Sequence, residues 1–202
     1  SFRFKEYQQD KLKINLDLDT SIPLIGTVGR FDSQKDHLNL LDALVILAKD
    51  KILFNYVLVG TGLDQSNKQI VEWIRKRGLS TYVKLLGQRN DIPKIMNGLD
   101  LHVLPSAFGE AFPNVVNEAM ACGTPCVVTN VGDASFIVGD TGWVVRPKSP
   151  KALAKAIKIA LQELRGGTAK NAYSLKARRR IKENFSVIKM VKGYTELWSK
   201  LL

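Results

Sequence analysis

The sequence predicts an α/β fold, a doubly wound parallel sheet of about six strands with helices on both faces. Short apolar runs of strand length recur along the chain, and the segments between them carry apolar residues at three- and four-residue spacing. Strands that alternate with helices build parallel sheets through right-handed, Rossmann-like crossovers. The sequence shows no internal repeat and no low-complexity segment that would favour another architecture.

The elements follow one another in a regular order. Apolar runs predict strands over 22–27, 54–59, 82–86, 101–104, 126–128 and 142–145. Helical periodicity predicts helices over 36–51, 65–77, 92–99, 113–122 and 150–164, followed by two more that are separated near 184–186. Leu40, Leu44 and Leu47 share one face of the first helix, and Ser149-Pro150 is a typical start for the fifth.

Three segments make up the predicted domain organisation. Residues 1–20 are polar and lack a sustained period, so we expect an interdomain linker there. Residues 21–185 form the predicted domain, and residues 186–202 form a C-terminal helix. The stripe of Tyr194, Leu197, Trp198 and Leu201 on that helix is apolar, and we expect it to be partly exposed.

Composition and charge limit the classes of function. No apolar run approaches the length of a membrane span, and Cys122 and Cys126 form neither a metal motif nor a disulfide framework, which favours a reducing cytoplasm. The formal net charge is +11. No aromatic residues interleave with the basic ones as in a nucleic-acid platform. A phosphate-bearing small ligand and an anionic membrane surface suit this charge better, although the basic run 176–180 can also be an ordinary solvated helix face.

An acidic loop lies between the fourth strand and the following helix. Glu110 and Glu118 enclose seven residues, and Pro113 between them predicts the first position of that helix. Phe112 would be a poor N-cap because it has no side-chain acceptor, which leaves backbone N–H groups such as that of Asn114 for a ligand. Two glutamates on a helix are commonplace. Their position at the carboxyl end of a strand, where α/β sheets bind ligands, favours a site for a hydroxyl-rich anion such as a nucleotide sugar.

A second candidate site follows the first strand. Gly26 and Gly29 permit a close approach of the backbone, Arg30 can grip a phosphate with two hydrogen bonds, and Lys35 adds a point charge before a helix N-terminus. This pattern is typical of a diphosphate cradle. The glycine pair alone also fits an ordinary tight turn, and the dinucleotide fingerprint with three glycines is absent.

Together these motifs resemble glycosyltransferase family 4, also called group 1. The resemblance rests on the order of five features: Gly26 to Gly29, Arg30 with Lys35, Pro105-Ser106, the two glutamates, and the run from Ala119 to Pro125. It implies a retaining transferase of the two-Rossmann GT-B fold, of which this chain matches the C-terminal, donor-binding half from about Leu24 to Phe185. It further implies that the N-terminal acceptor domain is a separate part and that no metal or other cofactor is needed.

The resemblance also implies roles for single residues. In that family the residues that match Arg30 and Lys35, beside Gly29, hold the donor diphosphate, and the glutamate that matches Glu110 lies against the transferred sugar. These three side chains are the implied catalytic residues. The remaining implied donor contacts are the ribose ligand Glu118, the backbone at Phe112, Pro113 and Asn114, and the base loop 87–92 with Arg89 and Ile92.

One departure and several rival functions stay open at this point. Many relatives carry a glutamate shortly after the turn that matches 131–133, whereas this chain has Phe136 there. We expect a UDP-sugar donor, with a GDP-sugar as the alternative, and a cytoplasmic location with contact to the inner face of a membrane. A nucleotide-sugar epimerase of the same fold, a non-catalytic nucleotide-sugar binding module and a nucleic-acid-binding module are the alternatives, the last being disfavoured.

Overall fold

The computed structural model describes residues 2 and 8–200. Its strands are β1 Leu24–Val28, β2 Asn55–Val59, β3 Val83–Gly87, β4 Leu101–Leu104, β5 Cys126–Thr129 and β6 Trp143–Val145. Among the described residues these six strands form one sheet in the order β3-β2-β1-β4-β5-β6, and every pairing is parallel. The predicted fold class is confirmed, and each strand lies within two residues of its predicted bounds.

Helices connect the strands on both faces of the sheet. They are α1 Gln8–Asn15, α2 His37–Lys49, α3 Lys68–Lys76, α4 Ile92–Gly98, α5 Asn114–Ala121, α6 Ala134–Val138, α7 Pro150–Glu163, α8 Gly167–Asn184 and α9 Val187–Ser199, with a short 3-10 turn at Ser33–Lys35. The sequence did not predict α6, because five residues are too few to show a helical period. It did not predict α1 either, since that helix has almost no apolar face.

The helix α1 lies inside the segment 1–20 that we expect to be a linker. Leu12 is buried against α4, where a Cβ added to Gly98 would lie 2.3 Å from a methyl carbon of Leu12. Lys13 Nζ lies 3.0 Å from Oδ2 of the buried Asp100. That carboxylate also pairs with Lys170 of α8 and accepts a 2.7 Å hydrogen bond from the backbone N–H of Leu24. Asp100 therefore joins α1, the start of β1 and α8 at the amino-terminal ends of the central strands, opposite the predicted site.

The sheet separates two apolar layers. One layer packs α2, α3 and α7 against the sheet, and its fully buried side chains include Leu40, Leu44, Ile70 and Ile157. The other packs α1, α4, α5, α6 and α8 on the opposite face, around residues such as Met96, Met120 and Ala177. Burial on both faces explains why the strand sequences are continuously apolar rather than alternating.

The helix α9 differs from the others because every one of its residues is exposed. Its apolar side chains include Met190, Tyr194, Leu197 and Trp198, and the last of these is 62% exposed. Leu201, which we assigned to the same stripe, lies outside the described residues. The predicted exposure of this stripe is therefore seen for the residues that the structure describes.

The strand order changes direction between β1 and β4. The chain proceeds from β1 through β2 to β3 on one side, and β4, β5 and β6 follow on the other side of β1. The connections after β1 and β4 therefore diverge and leave a crevice at the carboxyl ends of these two strands, which is where open α/β sheets bind ligands. Both predicted motifs follow these strands directly.

Candidate functional site

The loop after β1 is held in place by its backbone. The N–H of Gly29 donates to the carbonyl of Val59 at 2.9 Å, and that of Phe31 donates to the carbonyl of Thr61 at 2.8 Å. The Arg30 side chain between them is 66% exposed and contacts Asp32 at 3.1 Å. An exposed pair of this kind is weak, so the guanidinium is free to bind an anion. The backbone N–H of Gln34 and then Arg30 lower the pKa of Asp32, which stays charged.

Lys35 and Glu110 form an ion pair between the loop after β1 and the loop after β4. Their side chains are only 13% and 7% exposed, so the pair is shielded from water. The hydroxyl of the buried Ser106 donates to the same oxygen, Glu110 Oε1, at 2.6 Å. The structure thus brings together two of the predicted catalytic residues, 75 positions apart in the chain, at the crevice.

Gln34 joins the same two loops through further hydrogen bonds. Its Nε2 donates to the carbonyl of Gly109 at 2.8 Å, and its own carbonyl accepts from the N–H of Ala107 at 2.8 Å. Since Gln34 precedes Lys35, the basic loop and the acidic loop are joined at two successive residues. Nothing in the sequence around Gln34 indicates this contact.

The turn after β5 supports the acidic loop from the other side. The N–H of Asp133 donates to the carbonyl of Ala111 at 2.9 Å, and Thr129 Oγ1 donates to the carbonyl of Ser106 at 2.6 Å. Gly132 has a φ of +52°, and a Cβ there would lie 1.5 Å from the carbonyl oxygen of Glu110. Only glycine permits this approach, so the turn 131–133 fixes the backbone of the acidic loop.

The helix α5 starts near Pro113, as predicted. It begins at Asn114, and Pro113 rather than Phe112 is its N-cap, with an extended ψ of 96°. The ring of proline fixes φ but leaves ψ free to be extended. No side-chain hydrogen bond caps the helix, as expected, because proline is as poor a cap as Phe112. The N-terminus of α5 therefore presents its first N–H groups to the crevice side of the acidic loop.

Glu118 lies in the second turn of α5 and is half-buried. Burial raises the pKa of its carboxyl group, and none of the ion pairs found among the described residues involves it. A half-buried carboxylate of this kind is suited to accept hydrogen bonds from a ligand's hydroxyl groups.

The other predicted contact residues are spread around the crevice. Arg89 forms a bidentate pair with Asp91, both bonds being 2.9 Å long, and Ile92 opens α4 with its side chain partly packed into the core. The ring of Phe112 packs on Phe185 at 5.7 Å between centroids. The structure therefore does not bring Arg89 or Ile92 into contact with the basic and acidic loops, and their predicted place near a base stays a prediction.

Two histidines lie close to these motifs but are buried in the fold. His37 begins α2 with its ring stacked on Phe31 and its Nε2 3.2 Å from the carbonyl of Arg30. His102 lies inside β4, where burial lowers its pKa to about 3. Burial likewise lowers the pKa of His37, so both rings stay neutral and act as packing groups.

The basic side chains of the run 176–180 make different kinds of contact. Lys176 pairs with Asp140, and Arg180 donates to the carbonyls of Ile137 and Phe136 at 2.7 and 2.6 Å. Arg178 and Arg179 instead line a shallow groove on α8, together with Leu175, Lys182 and Glu183. Part of the run is therefore structural, and part forms a basic outer surface.

Metal sites and membrane-spanning helices are both absent from the described residues. Within residues 2 and 8–200, no group of three His, Cys, Asp or Glu side chains is arranged to hold a metal ion. In the same part of the chain, no helix combines the length and apolar character that crossing a bilayer requires.

Comparison with known proteins places the chain in a family. The family model described as Glycosyl transferases group 1 matches residues 22–163, and the chain belongs to this family. The chain is 27% identical over 175 residues to the UDP-Gal:alpha-D-GlcNAc-diphosphoundecaprenol alpha-1,3-galactosyltransferase of Escherichia coli, covering 85% of this chain and 44% of that protein. It is 26% identical over 203 residues to the lipopolysaccharide core biosynthesis mannosyltransferase LpsB of Rhizobium meliloti, covering 97% and 57% of the two chains.

A solved structure shows the same arrangement of elements. The Anabaena protein HepE in complex with UDP superposes with a TM-score of 0.85 at 26% identity, over 98% of this chain and 54% of that one. The resemblance to the C-terminal half of a GT-B glycosyltransferase is therefore confirmed. The chain spans about half the length of these relatives.

Proposed function

We propose that this chain is the donor-binding half of a retaining glycosyltransferase. The enzyme would transfer a hexose-type sugar from a nucleoside diphosphate sugar to an acceptor in polysaccharide or glycolipid synthesis. The observation that carries the proposal is the shielded pair of Lys35 and Glu110, which joins a basic loop to an acidic loop at the crevice of the sheet. Cationic and carboxylate groups side by side match the two halves of such a donor, an anionic diphosphate and a hydroxyl-bearing sugar.

A UDP-sugar is the donor that we favour, with a GDP-sugar as the alternative. Support comes from the structures of HepE with UDP and with UDP-glucose and from the UDP-galactose donor in the name of the Escherichia coli relative. Glu118 would accept the ribose hydroxyls. Gly29 and the uncapped start of α5, from Phe112 and Pro113 to Asn114, would approach the phosphates and sugar, and the loop with Arg89 and Ile92 would approach the base.

In the reaction, the bond between the anomeric carbon and the diphosphate breaks, and a bond from that carbon to the acceptor oxygen forms. Arg30, Lys35 and the N-terminus of α5 would stabilise the negative charge that develops on the leaving diphosphate, so no metal is required. Glu110 would orient the transferred sugar. We expect attack from the face that the diphosphate leaves, with the acceptor's proton passing to the leaving phosphate, as the family resemblance implies.

The acceptor would be bound by a further domain, because the chain spans only about half of its relatives. The present chain should therefore bind the donor but transfer nothing. Calorimetric titration with UDP-, GDP- and ADP-glucose tests this, together with an assay for glycoside formation. The expected result is that one of the three nucleotide sugars binds and that no glycoside is formed. A chain that binds none of the three, or one that forms glycoside alone, would contradict the proposal.

We also propose that the protein is cytoplasmic and contacts the inner face of an anionic membrane through α8. The support is the outward groove of Arg178, Arg179 and Lys182 beside the 62%-exposed Leu175, together with the net charge of +11. Each basic side chain near an anionic surface contributes about 1 kcal/mol of attraction.

Sedimentation with lipid vesicles tests the membrane contact. Vesicles with about one third phosphatidylglycerol should retain the chain at low salt, and pure phosphatidylcholine vesicles should not. Replacement of Arg178, Arg179 and Lys182 by Gln should abolish retention. As a control, Lys49, Lys76 and Lys155 replaced by Gln remove the same charge from the other side of the sheet. Equal retention of both triple variants would show that only net charge matters.

A further inference from the structure

Ser106 lies immediately after β4 and is completely buried. Its backbone carbonyl accepts a hydrogen bond from Thr129 Oγ1 at 2.6 Å, which ties its main chain to β5. Its hydroxyl donates to Glu110 Oε1 at 2.6 Å. A buried hydroxyl with a fixed backbone has little freedom to move, so it holds the carboxylate of Glu110 in a defined direction.

The two oxygens of Glu110 have different surroundings. Oε1 receives both the ammonium of Lys35 and the hydroxyl of Ser106. Among the residues that the structure describes, no hydrogen bond to Oε2 is found. An ionised carboxylate can accept several hydrogen bonds, so Oε2 is the oxygen left for a ligand.

Lys35 alone cannot keep this orientation once a donor is bound. A diphosphate carries more negative charge than one carboxylate and competes with Glu110 for the same ammonium group. As Lys35 turns towards the phosphates, Glu110 loses its charged partner. The hydroxyl of Ser106 is neutral and buried, so a phosphate does not compete for it.

We propose that Ser106 is a positioning residue for recognition of the sugar, which rests on the proposed donor-binding function. Its hydroxyl keeps Glu110 Oε1 in place while Lys35 serves the diphosphate, and Oε2 then accepts from a hydroxyl group of the transferred sugar. Loss of the Ser106 hydroxyl should therefore weaken binding of the sugar-bearing donor and leave binding of the bare nucleoside diphosphate unchanged.

Calorimetry with UDP and with UDP-glucose on the whole chain tests this. Ser106→Ala should lower the affinity for UDP-glucose about threefold to tenfold, the worth of one hydrogen bond, and change that for UDP less than twofold. Ser106→Cys, nearly the same size but a weaker donor, should give an intermediate loss. Ser174→Ala removes another buried serine hydroxyl, on α8, and should affect neither ligand.

A double-mutant cycle shows whether Ser106 acts through Glu110. In a Glu110→Ala background, Ser106→Ala should cause no further loss of UDP-glucose affinity. If Ser106→Ala does not fold, the Cys variant carries the same comparison. If Ser106→Ala weakened binding of UDP and UDP-glucose equally, or weakened neither, the proposed role of Ser106 would be overturned. A further loss of UDP-glucose affinity in the Glu110→Ala background would overturn it as well. These outcomes would leave the proposed donor-binding function intact. A parent chain that does not bind UDP would instead overturn the proposed function on which this role depends.

Discussion

At the scale of the residue, the site consists of cations that are already paired with carboxylates. Arg30 is paired with Asp32 at the surface, whereas Lys35 is paired with Glu110 in a shielded position. The two cations should therefore respond differently to replacement. Because Arg30 is exposed, its replacement should hardly change the free energy of unfolding. The replacement should instead lower the affinity for the ligand.

Arg30→Ala should weaken binding of UDP about tenfold to a hundredfold, because a charge-assisted hydrogen bond to phosphate is worth about 1.5–3 kcal/mol. The melting temperature should stay within about 2 °C of the parent, since the side chain is mostly exposed. Calorimetry and thermal unfolding measure the two quantities. Arg179→Ala, which removes the same charge from α8, is the matched control and should leave UDP binding unchanged. UDP affinity equal in both variants would place the phosphates elsewhere.

Glu118→Gln should lower the affinity for UDP about tenfold but hardly change that for the 2′,3′-dideoxy analogue, because a carboxylate accepts both hydroxyls of a vicinal diol better than an amide does. Glu110→Gln should instead affect UDP-glucose more than UDP. Burial raises the pKa of Glu118, so this carboxylate should take up a proton at a higher pH than an ordinary glutamate does. The part of the UDP affinity that depends on the ribose hydroxyls should therefore be lost at that higher pH as the solution is acidified. Equal losses for all three ligands would contradict this division of roles.

At the scale of the element, the sequence predicts the sheet well and the contacts between loops poorly. The strands β1, β2, β4 and β5 are mainly apolar runs that both faces of the sheet bury, so their own sequences identify them. The five-residue α6 and the polar α1 lack such a signal, and they form because neighbouring elements pack on them.

Some residues of the site can be predicted from the sequence, whereas others cannot. Arg30, Lys35, Glu110 and Glu118 can be identified from their residue types and their positions after strands. The supporting roles of Gln34, Ser106 and Gly132 depend on which loops meet across the sheet, and only the strand order determines that. The start of α5 near Pro113 was predicted, but its cap is Pro113 instead of Phe112.

Asp100 provides a test of how separate elements are held together. Burial alone would raise its pKa, but Lys170, Lys13 and the N–H of Leu24 lower it below the ordinary aspartate value. A carboxyl group whose pKa is lower in the folded state stabilises the fold above its unfolded pKa of about 4 and loses this effect as the pH falls further. The contribution should therefore be complete at neutral pH and disappear in acid.

Asp100→Asn should lower the free energy of unfolding by roughly 3–5 kcal/mol at pH 7, because it leaves the buried ammonium of Lys13 without its counterion. Urea unfolding measures this, and the difference from the parent should shrink below about pH 4. The control is Asp50→Asn, which breaks a half-exposed pair with Lys158 and should cost less than about 1 kcal/mol. A pH-independent effect of Asp100→Asn would show that hydrogen bonding, not charge, matters there.

At the scale of the whole molecule, the described residues form a packed domain in which the helix α9 buries none of its residues. The helix α9 exposes an apolar stripe, and the family resemblance implies that the corresponding helix crosses to the acceptor domain. We therefore expect α9 to be loosely held in this chain and firmly held in a longer protein that contains that domain.

Hydrogen exchange measures how firmly α9 is held. Amides of 187–199 should exchange at least about a hundredfold faster than those of β1, because few buried contacts oppose local opening. At high concentration the stripe should promote self-association, which Trp198→Ser should reduce without changing the free energy of unfolding. Protection of α9 equal to that of β1 in a monomeric sample would show that the helix packs on its own domain.

The shielded pairing of Lys35 with Glu110 has a consequence for competition in the cell. Chloride that approaches Lys35 must separate the ammonium group from its carboxylate, and chloride offers that carboxylate no replacement donor. A nucleotide sugar brings hydroxyl groups that can satisfy the displaced carboxylate while its phosphates occupy Lys35. Lys35 is thereby shielded from chloride and stays available for a scarce ligand that carries both kinds of group.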